Sequence, residues 1–510
     1  MNRRQKTTNH ISKNKKGVLF IFPFPFGHIK NIRDIKNIHY TQSRGRHDDN
    51  MPGVPYLRGF LASKQIKTNF LDLNFLIKND TKICSLILSR IFSQIKYRNL
   101  SVLSGIKNAD FLKEYLKEKI DASSYEKIGF SIYSFEQLIF SFLVIKLLKI
   151  DRDAIIFGGP FISNYYQELA DYLKNDPLVG YLIIKEAETP LYLLLKKTPV
   201  KKIPNLIYFS KGKYILAKSL DHSENPENLP APLYDNKKFH AYYVGSNRSC
   251  YWGKCIFCHH LFNFSKKASR EKKSPESVFQ DVKGIIEKNK NKKAPFFIFT
   301  DCSLDPDFLK LFSEKIIQSR LKAGFGAFMR LDERLDLGTI KLAKKAGFKL
   351  FSFGLETTSE RLLKIIRKGI SLKKSLKIIE NCGKAGIEKI VVHFMLGLPT
   401  QTAKELHEDL DMMHELITKN KNVILGIKPL YLGKNTVLYE HSKKYKIKPL
   451  MRKEAFNKER IPFVQLKKDA ISPKEALILF KRHPYYKKLQ KRNENYDVSK
   501  KIDTLIEKLG

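Results

Sequence analysis

Cys250-Tyr-Trp-Gly-Lys-Cys255-Ile-Phe-Cys258 gathers three of the six cysteines of a 510-residue chain into one short, glycine-containing loop. Buried structural cysteines have no reason to collect on such a loop, so the run reads as a ligand set. Two chemistries fit it. Thiolates completed by His259 or His260 give a Cys3His zinc site. Three thiolates alone hold an iron–sulfur cluster and leave one iron open. Zinc modules usually bring two ligand pairs some distance apart, and no second pair is present. The alternation of strands and helices that follows favours the cluster.

The run comes just after an apolar strand, Tyr242–Gly245. Downstream, strands are expected at Phe296–Thr300, Phe325–Phe328, Leu350–Phe353, Ile390–Phe394 and Val423–Lys428. Helical spacing separates them at Pro306–Ser319, Leu337–Ala346, Ser359–Ile366, Leu372–Ala385 and Ala403–Thr418. Six βα units in a row over 241–432 predict a (β/α)6 parallel part-barrel. Its chemistry is then expected on the loops at the C-terminal ends of the strands, where the cysteines lie.

Taken together, these residues resemble the radical SAM superfamily, whose usual motif is C-x3-C-x2-C with an aromatic residue before the last cysteine. Phe257 fills the aromatic place, and the first gap here is four residues, Tyr251 to Lys254. The resemblance implies that Cys250, Cys255 and Cys258 bind a 4Fe–4S cluster and that the open iron chelates S-adenosylmethionine. An electron from the cluster, supplied by a donor such as flavodoxin or ferredoxin, then cleaves the sulfonium to a 5′-deoxyadenosyl radical. It further implies S-adenosylmethionine contacts from Phe257, from Asp301 in Phe299-Thr-Asp301, and from Arg330 in Phe328-Met-Arg-Leu-Asp332. Glu356 in Gly354-Leu-Glu-Thr357 is implied as a ribose or amino-acid contact. Gly397 and Pro399, implied as further S-adenosylmethionine contacts, belong to Gly397-Leu-Pro-Thr-Gln-Thr402, where Thr400 and Gln401 replace the Gly and Glu of the family turn.

Residues 17–215 alternate in the same way, with strands expected at Val18–Phe24, Thr68–Leu71, Lys127–Ser131, Asp153–Phe157 and Tyr181–Ile184 and helices at Tyr56–Ser63, Phe135–Leu148 and Tyr165–Leu173. This pattern predicts a doubly wound, Rossmann-like parallel sheet. Pro52 to Asn74, ending in Leu-Asp-Leu-Asn, resembles a segment of the cobalamin-binding domain that precedes many radical SAM domains, as do Ile128-Gly-Phe-Ser131 and Phe157-Gly-Gly-Pro160. The resemblance implies corrin contacts from Ser131, Gly158, Gly159 and Glu186, the last in Lys185-Glu-Ala-Glu188 where the family has Gly-Glu-Gly-Glu. Two adjacent glycines let backbone approach a bulky ring. The Asp-x-His-x-x-Gly lower-ligand motif is absent; His28 lies in a loop with Phe26 where the Asp would be.

Residues 1–16 are expected to be a disordered basic tail, 216–240 a linker with Pro226, Pro230 and Pro232, and 433–510 a basic, mostly helical region with helices at Pro473–Lys481 and Val498–Lys508. The longest apolar stretch, Leu138 to Leu148, is 11 residues with Lys146 inside it. A span needs roughly 20. The run Val18–Phe26 after a basic start mimics a secretory signal, but Pro23 and Pro25 interrupt it and no small-residue cleavage site follows, so a cytoplasmic protein is expected. Lys and Arg number 94 against 51 Asp and Glu, a net charge of +43, which points to an acidic partner or an anionic substrate.

The reading these observations imply is a cobalamin-dependent radical SAM methyltransferase acting on an unactivated carbon or phosphorus centre. The alternatives are a radical SAM oxidoreductase or transferase with a vestigial first domain, and a zinc-stabilised basic nucleic-acid-binding protein. Of the remaining residues, Cys84 and Cys382 read as packing and Cys302 as a core or rim thiol. Trp252 is placed to cover the cluster, and Tyr242, Tyr243 and Tyr251 could stack bases.

Overall fold

The computed structural model describes residues 16–24, 53–92, 109–217, 219, 221–235, 241–258, 271–288, 294–450 and 461–492. His28, His259, His260 and the helix expected at Val498–Lys508 lie outside these residues. The chain divides into two compact units, one built mainly from residues up to 218 and one mainly from 219 onward.

The first unit carries a seven-stranded sheet. Its strands are β1 (Lys16–Phe22), β2 (Thr68–Asp72), β3 (Tyr125–Ser131), β4 (Ile155–Gly158), β5 (Tyr181–Ile183), β6 (Leu206–Ser210) and β7 (Lys213–Leu216). The order is β2-β1-β3-β4-β5-β6-β7. β2 through β5 are parallel, and β6 and β7 add antiparallel at one edge. The order reverses between β1 and β3, the switch point at which doubly wound sheets open a crevice beyond their strand ends. Val18 to Phe22 are all buried, as a strand covered on both faces requires. The Phe135–Leu148 helix buries every residue from Gln137 to Ile145, so its apolar character runs all round.

Gln137 braces the switch point. Its Oε1 accepts the Tyr133 N–H at 2.7 Å, and its Nε2 donates to the Pro23 carbonyl at 3.1 Å. One buried amide therefore ties the loop after β3 to the end of β1. The β6–β7 hairpin was not expected from the sequence. It turns at Lys211 and Gly212, both with positive φ (49° and 78°), the geometry that matches the strand twist in a two-residue turn.

The second unit holds six parallel strands in sequence order: β8 (Tyr242–Val244), β9 (Phe296–Phe299), β10 (Gly324–Met329), β11 (Phe348–Glu356), β12 (Lys389–Leu396) and β13 (Val423–Pro429). Five helices at or near the expected places separate β9 from β13: Pro306–Ser319, Leu337–Lys345, Glu360–Ile365, Leu372–Lys384 and Ala403–Lys419. The Pro275–Lys288 helix between β8 and β9 was not expected. One sheet face packs on these helices through Phe297, Phe299, Phe325, Phe348, Phe351 and Phe353. Strand register puts Tyr243, Ile298, Gly326, Phe328, Ser352, Gly354, His393 and Gly426 on the other face. That inner face is rich in glycine and polar groups, as a cavity wall is and a packed core is not.

Parts of the segment expected as a linker are fixed to the second unit. The Tyr234 hydroxyl donates to the Tyr243 carbonyl and accepts the Tyr243 N–H, both at 2.8 Å, and Asp235 pairs with Arg58 at 2.7 Å. Beyond β13 the chain forms a two-stranded ribbon, β14 (Ile447–Pro449) with β15 (Phe463–Gln465), and helices at Pro473–Arg482 and Tyr486–Arg492. Ala476, Leu477 and Phe480 join the helix-side core, so this region completes the cover of the sheet.

Candidate functional site

The cysteine loop leaves the C-terminal end of β8 and is bound on both sides. An isolated parallel bridge joins Cys250 to Ser303, just past β9. The Ile256 N–H donates to the Ile366 carbonyl at 3.2 Å, and the Ile256 carbonyl accepts the Leu438 N–H at 2.9 Å. Ile256 itself is fully buried in a small satellite core with Leu362, Ile366, Leu398 and Leu438. Its neighbours Cys255 and Phe257 stay half-exposed, as do Cys250 and Cys258. All three loop cysteines are free thiols.

Arg330, at the end of β10, is buried with its Nη1 3.9 Å from Cys255 Sγ. Its other terminal nitrogen donates to the carbonyls of Lys368 and Gly369. The Trp252 ring lies 4.4 Å from the guanidinium carbon, and the indole N–H donates to the Arg367 carbonyl at 2.9 Å. Gly369 permits this stacking: it has φ 65°, and a Cβ there would sit 2.0 Å from the indole. Burial pushes the Cys255 thiol up, against the opposite pull of Lys368 and Arg330. The two cations favour the thiolate, the form that binds metal.

Glu356 ends β11 at a register shift and has φ 75°, in the left-handed region that a side chain rarely adopts. Lys368 Nζ reaches Glu356 Oε1 at 2.7 Å with both side chains about nine-tenths buried. A Cβ at Gly354 would fall 2.2 Å from the same oxygen, so this glycine makes room for the pair. Phe257 lies 5.9 Å from Lys368 Nζ across its ring. Cys255, Phe257, Arg330, Glu356, Trp252 and Lys368 thus form one connected group.

Asp301 does not present its carboxylate to that group. It is buried, accepting the Ser246 N–H at 3.0 Å and the Ser246 hydroxyl at 2.5 Å. Burial pushes its acid up to about 6, against those two bonds. Asp301 therefore fixes the backbone that leads into the cysteine loop. Cys302 beside it lies in the electrostatic range of Cys258 and Cys250, and burial raises its thiol first. Gly397 (φ 75°) and Pro399 sit in a turn closed by Gln401, whose Oε1 accepts the N–H groups of Gly397 and Leu398 at 2.7 and 3.1 Å. Thr400 keeps φ 63° in the place of the family glycine. Gln401 Nε2 donates to Asp409 at 2.9 Å, a contact a glutamate there could not make without a proton.

On the inner face, His393 Nε2 lies 2.8 Å from Ser352 Oγ, and a Cβ at Gly426 would meet its ring at 2.2 Å. Burial pushes this imidazole down to about 4. Neither His393 nor Lys368 was singled out from the sequence. A histidine within the strand pattern Lys389–Leu396, facing glycine in the next strand, was the available signal for the first.

In the first unit, Ser131 ends β3 and Gly158 ends β4, side by side in register. A Cβ at Gly158 would meet only the Ile183 carbonyl, at 3.7 Å. Gly159 has φ 103°, and a Cβ there would fall 2.5 Å from the Ile132 carbonyl. The first glycine leaves open space and the second satisfies the turn itself, so the pair divides the two roles. Glu186 is buried, and its carbonyl accepts from Asn205 at 3.1 Å.

Residues 247–413 match the family model of the radical SAM superfamily. An uncharacterized methyltransferase of Pyrococcus horikoshii is 23% identical over 327 residues, covering 60% of this chain and 69% of that protein. The bacteriochlorophyllide d C-8(2)-methyltransferase of Chlorobaculum tepidum is 27% identical over 206 residues, and the match spans 44% of its length. Among solved structures, the cobalamin-dependent S-adenosylmethionine radical enzyme OxsB aligns over 97% of this chain and 71% of its own, with TM-score 0.64 and 14% identity. The radical S-adenosylmethionine methyltransferase TsrM of Kitasatospora setae aligns over 86% of this chain and 81% of its own, with TM-score 0.59 and 14% identity. The two-sheet fold is therefore shared with both.

Proposed function

We propose, for a chain whose residues 247–413 make it a radical SAM enzyme, that it methylates an unactivated centre with the help of cobalamin. The observation that carries the reading is the half-exposed cysteine loop at the end of β8, with Arg330 beside Cys255, in a chain whose first sheet opens at a β1/β3 switch point. When bound, the cluster and S-adenosylmethionine supply a 5′-deoxyadenosyl radical and cobalamin carries the methyl group.

The residues present fit these groups. Three free thiols sit on the loop that follows the C-terminal end of β8, and Lys368 and Arg330 favour the ionised form of Cys255. Among the described residues no three His, Cys, Asp or Glu side chains converge as a single metal ion needs, and thiolates bound to three separate irons have no such need. In this reading Cys250, Cys255 and Cys258 hold the irons. Arg330 balances thiolate charge next to Cys255. Glu356, kept in place by Lys368, accepts hydrogen bonds from ribose hydroxyls or the amino group of S-adenosylmethionine. Trp252 screens the loop from water. In the first unit, Ser131 and Gly158 line the space for a corrin, while Gly159 and Gln137 hold its walls in position. A one-electron donor of the flavodoxin or ferredoxin kind is required.

Anaerobic reconstitution with iron, sulfide and hydroxocobalamin tests the reading. It expects about four irons and one cobalt per chain, with iron lost and cobalt kept in Cys255→Ala. Iron without cobalt removes cobalamin-dependent methyl transfer; zinc without iron removes the radical chemistry.

A further inference from the structure

We propose that the outward face of the β14–β15 ribbon is a docking surface for an anionic lipid bilayer. The basic excess of the chain, which radical SAM chemistry leaves unused, has a place to act here.

Register decides which side chains share a face. Ile447 pairs with Gln465, Lys448 with Val464 and Pro449 with Phe463. The Leu450 N–H donates to the Pro462 carbonyl at 2.9 Å and the Leu466 N–H to the Lys446 carbonyl at 2.7 Å, so the pairing runs one step further at each end. Successive side chains of a strand point to opposite faces. Ile447 and Phe463 face inward and are buried in the satellite core with Ile256. Lys448 and Leu450 of one strand stand outward with Val464 and Leu466 of the other, and all four are exposed. Lys446, whose carbonyl holds Leu466, is exposed next to them.

A two-stranded ribbon with one buried face ordinarily carries polar groups on the other. Here Leu450, Val464 and Leu466 are 41%, 39% and 53% exposed. They are three of the eight large apolar side chains left exposed among the described residues; the other five come from five separate parts of the sequence. Apolar residues scattered singly need no explanation, but a cluster marks a contact surface. The charge beside it has one sign. Residues 441–450 and 461–468 hold six lysines and no acid. The acids that flank them are Glu440 and Asp469, and Asp469 is taken by Lys467 at 3.1 Å.

Apolar side chains with lysines between them fit the boundary of an anionic bilayer, where the first enter the acyl layer and the second meet the head groups. A protein partner asks for more: a specific interface covers about 800 Å² on each side. Five strand residues span about 14 Å and two strands lie about 5 Å apart, so this face is a small fraction of that area. It is large enough for three side chains to enter lipid. The inward face carries the contact to the site. Gln465 accepts the Thr400 N–H at 3.0 Å and donates to the Leu398 carbonyl at 2.9 Å. A bilayer on the outward face therefore lies one ribbon thickness from the turn after β12.

The test uses the full-length chain and measures flotation with vesicles of phosphatidylcholine alone and of phosphatidylcholine mixed with phosphatidylglycerol. We expect flotation with the mixed vesicles only, weakening as salt is added. Val464→Thr/Leu466→Thr removes the apolar contact with a residue type that suits strands, and should weaken partitioning at least about 10-fold. Lys446→Gln/Lys448→Gln should weaken it about fivefold per lysine. Lys113→Gln/Lys117→Gln in the first unit removes the same charge and should leave it unchanged. No flotation of the parent with mixed vesicles overturns the proposal. So does Val464→Thr/Leu466→Thr floating like the parent, or the first-unit pair losing as much as Lys446→Gln/Lys448→Gln. Should a variant melt well below the parent, acylation of surface amines in the parent decides. Protection of Lys446 and Lys448 by mixed vesicles supports the proposal, and no protection overturns it. Protection by poly-glutamate and not by vesicles overturns it in favour of an acidic protein. Protection that grows with protein concentration and needs no vesicles overturns it in favour of a second copy of the chain.

Discussion

Lys368 meets Glu356 at 2.7 Å in a site where both side chains are almost wholly removed from water, and the same lysine contributes its carbonyl to Arg330. A buried pair of this kind costs desolvation on both sides and is strongly harmed by losing one member. Lys368→Met should lower stability by about 3–5 kcal/mol in denaturant unfolding, because Glu356 is left charged and unpartnered. Lys368→Met/Glu356→Gln should recover most of that loss. A double variant no better than the single one would show that the loss does not come from the stranded Glu356 charge.

Gly369→Ala is expected to act on Trp252. The added carbon would overlap the indole and sit at φ 65°. The left-handed conformation alone costs about 1–2 kcal/mol. Trp252 is the single tryptophan of the chain, so its fluorescence reads the outcome directly. A red-shifted, more quenchable emission is expected, and an unchanged spectrum would contradict the stacking described.

Asp409 provides a pH test. Burial pushes its acid up to about 7, above the ordinary 3.8. The folded chain then holds this proton more tightly than the unfolded one. The stability it contributes is full below about pH 4 and declines as pH rises toward 7. Gln401→Glu puts a second carboxyl against it, and two acids in contact cannot both ionise cheaply. The melting temperature of the variant should fall below that of the parent by more at pH 8 than at pH 5.

His393 has the opposite sign. Its imidazole is pushed down to about 4 by burial, so the folded chain resists the proton that the unfolded chain accepts near 6.5. Its contribution is full above pH 6.5 and is lost as pH falls toward 4. His393→Gln should flatten that acid limb, seen as a smaller drop in melting temperature between pH 7 and pH 5.

Gly159→Ala should destabilise the first unit by about 1–3 kcal/mol, through a conformation with φ 103° and the clash with the Ile132 carbonyl. Gly158→Ala meets no close atom, so it should leave stability nearly intact and weaken only what occupies the space. Thermal melts with and without hydroxocobalamin separate the two.

The strand–helix rhythm was legible because buried parallel strands are short apolar runs and their helices carry caps. Phe135–Leu148 and Pro306–Ser319 have the bounds their patterns predict. The β6–β7 hairpin was missed although Lys211-Gly212 between Leu206–Ser210 and Lys213–Leu216 is a turn signal. The cysteine loop could be read because its ligands are local in sequence. Lys368 could not: it is 12 residues past Glu356 and comes back to it only through the turn after the Glu360–Ile365 helix. The Asp301 partner could not be read either, since nothing in Phe299-Thr-Asp301 reveals that Ser246 on the neighbouring strand end bonds its carboxylate.

Gly397 and Pro473 are in such close contact that a Cβ at the first would fall 2.4 Å from the Cα of the second. A turn after β12 and a helix start 76 positions later therefore share one volume. Across relatives these positions should vary together: a side chain at the first demands a rerouted tail at the second. The Pro473–Arg482 helix is thus a fitted part of the architecture at the strand ends, and transplanting the six βα units alone into another protein would leave that turn without the surface it was shaped against.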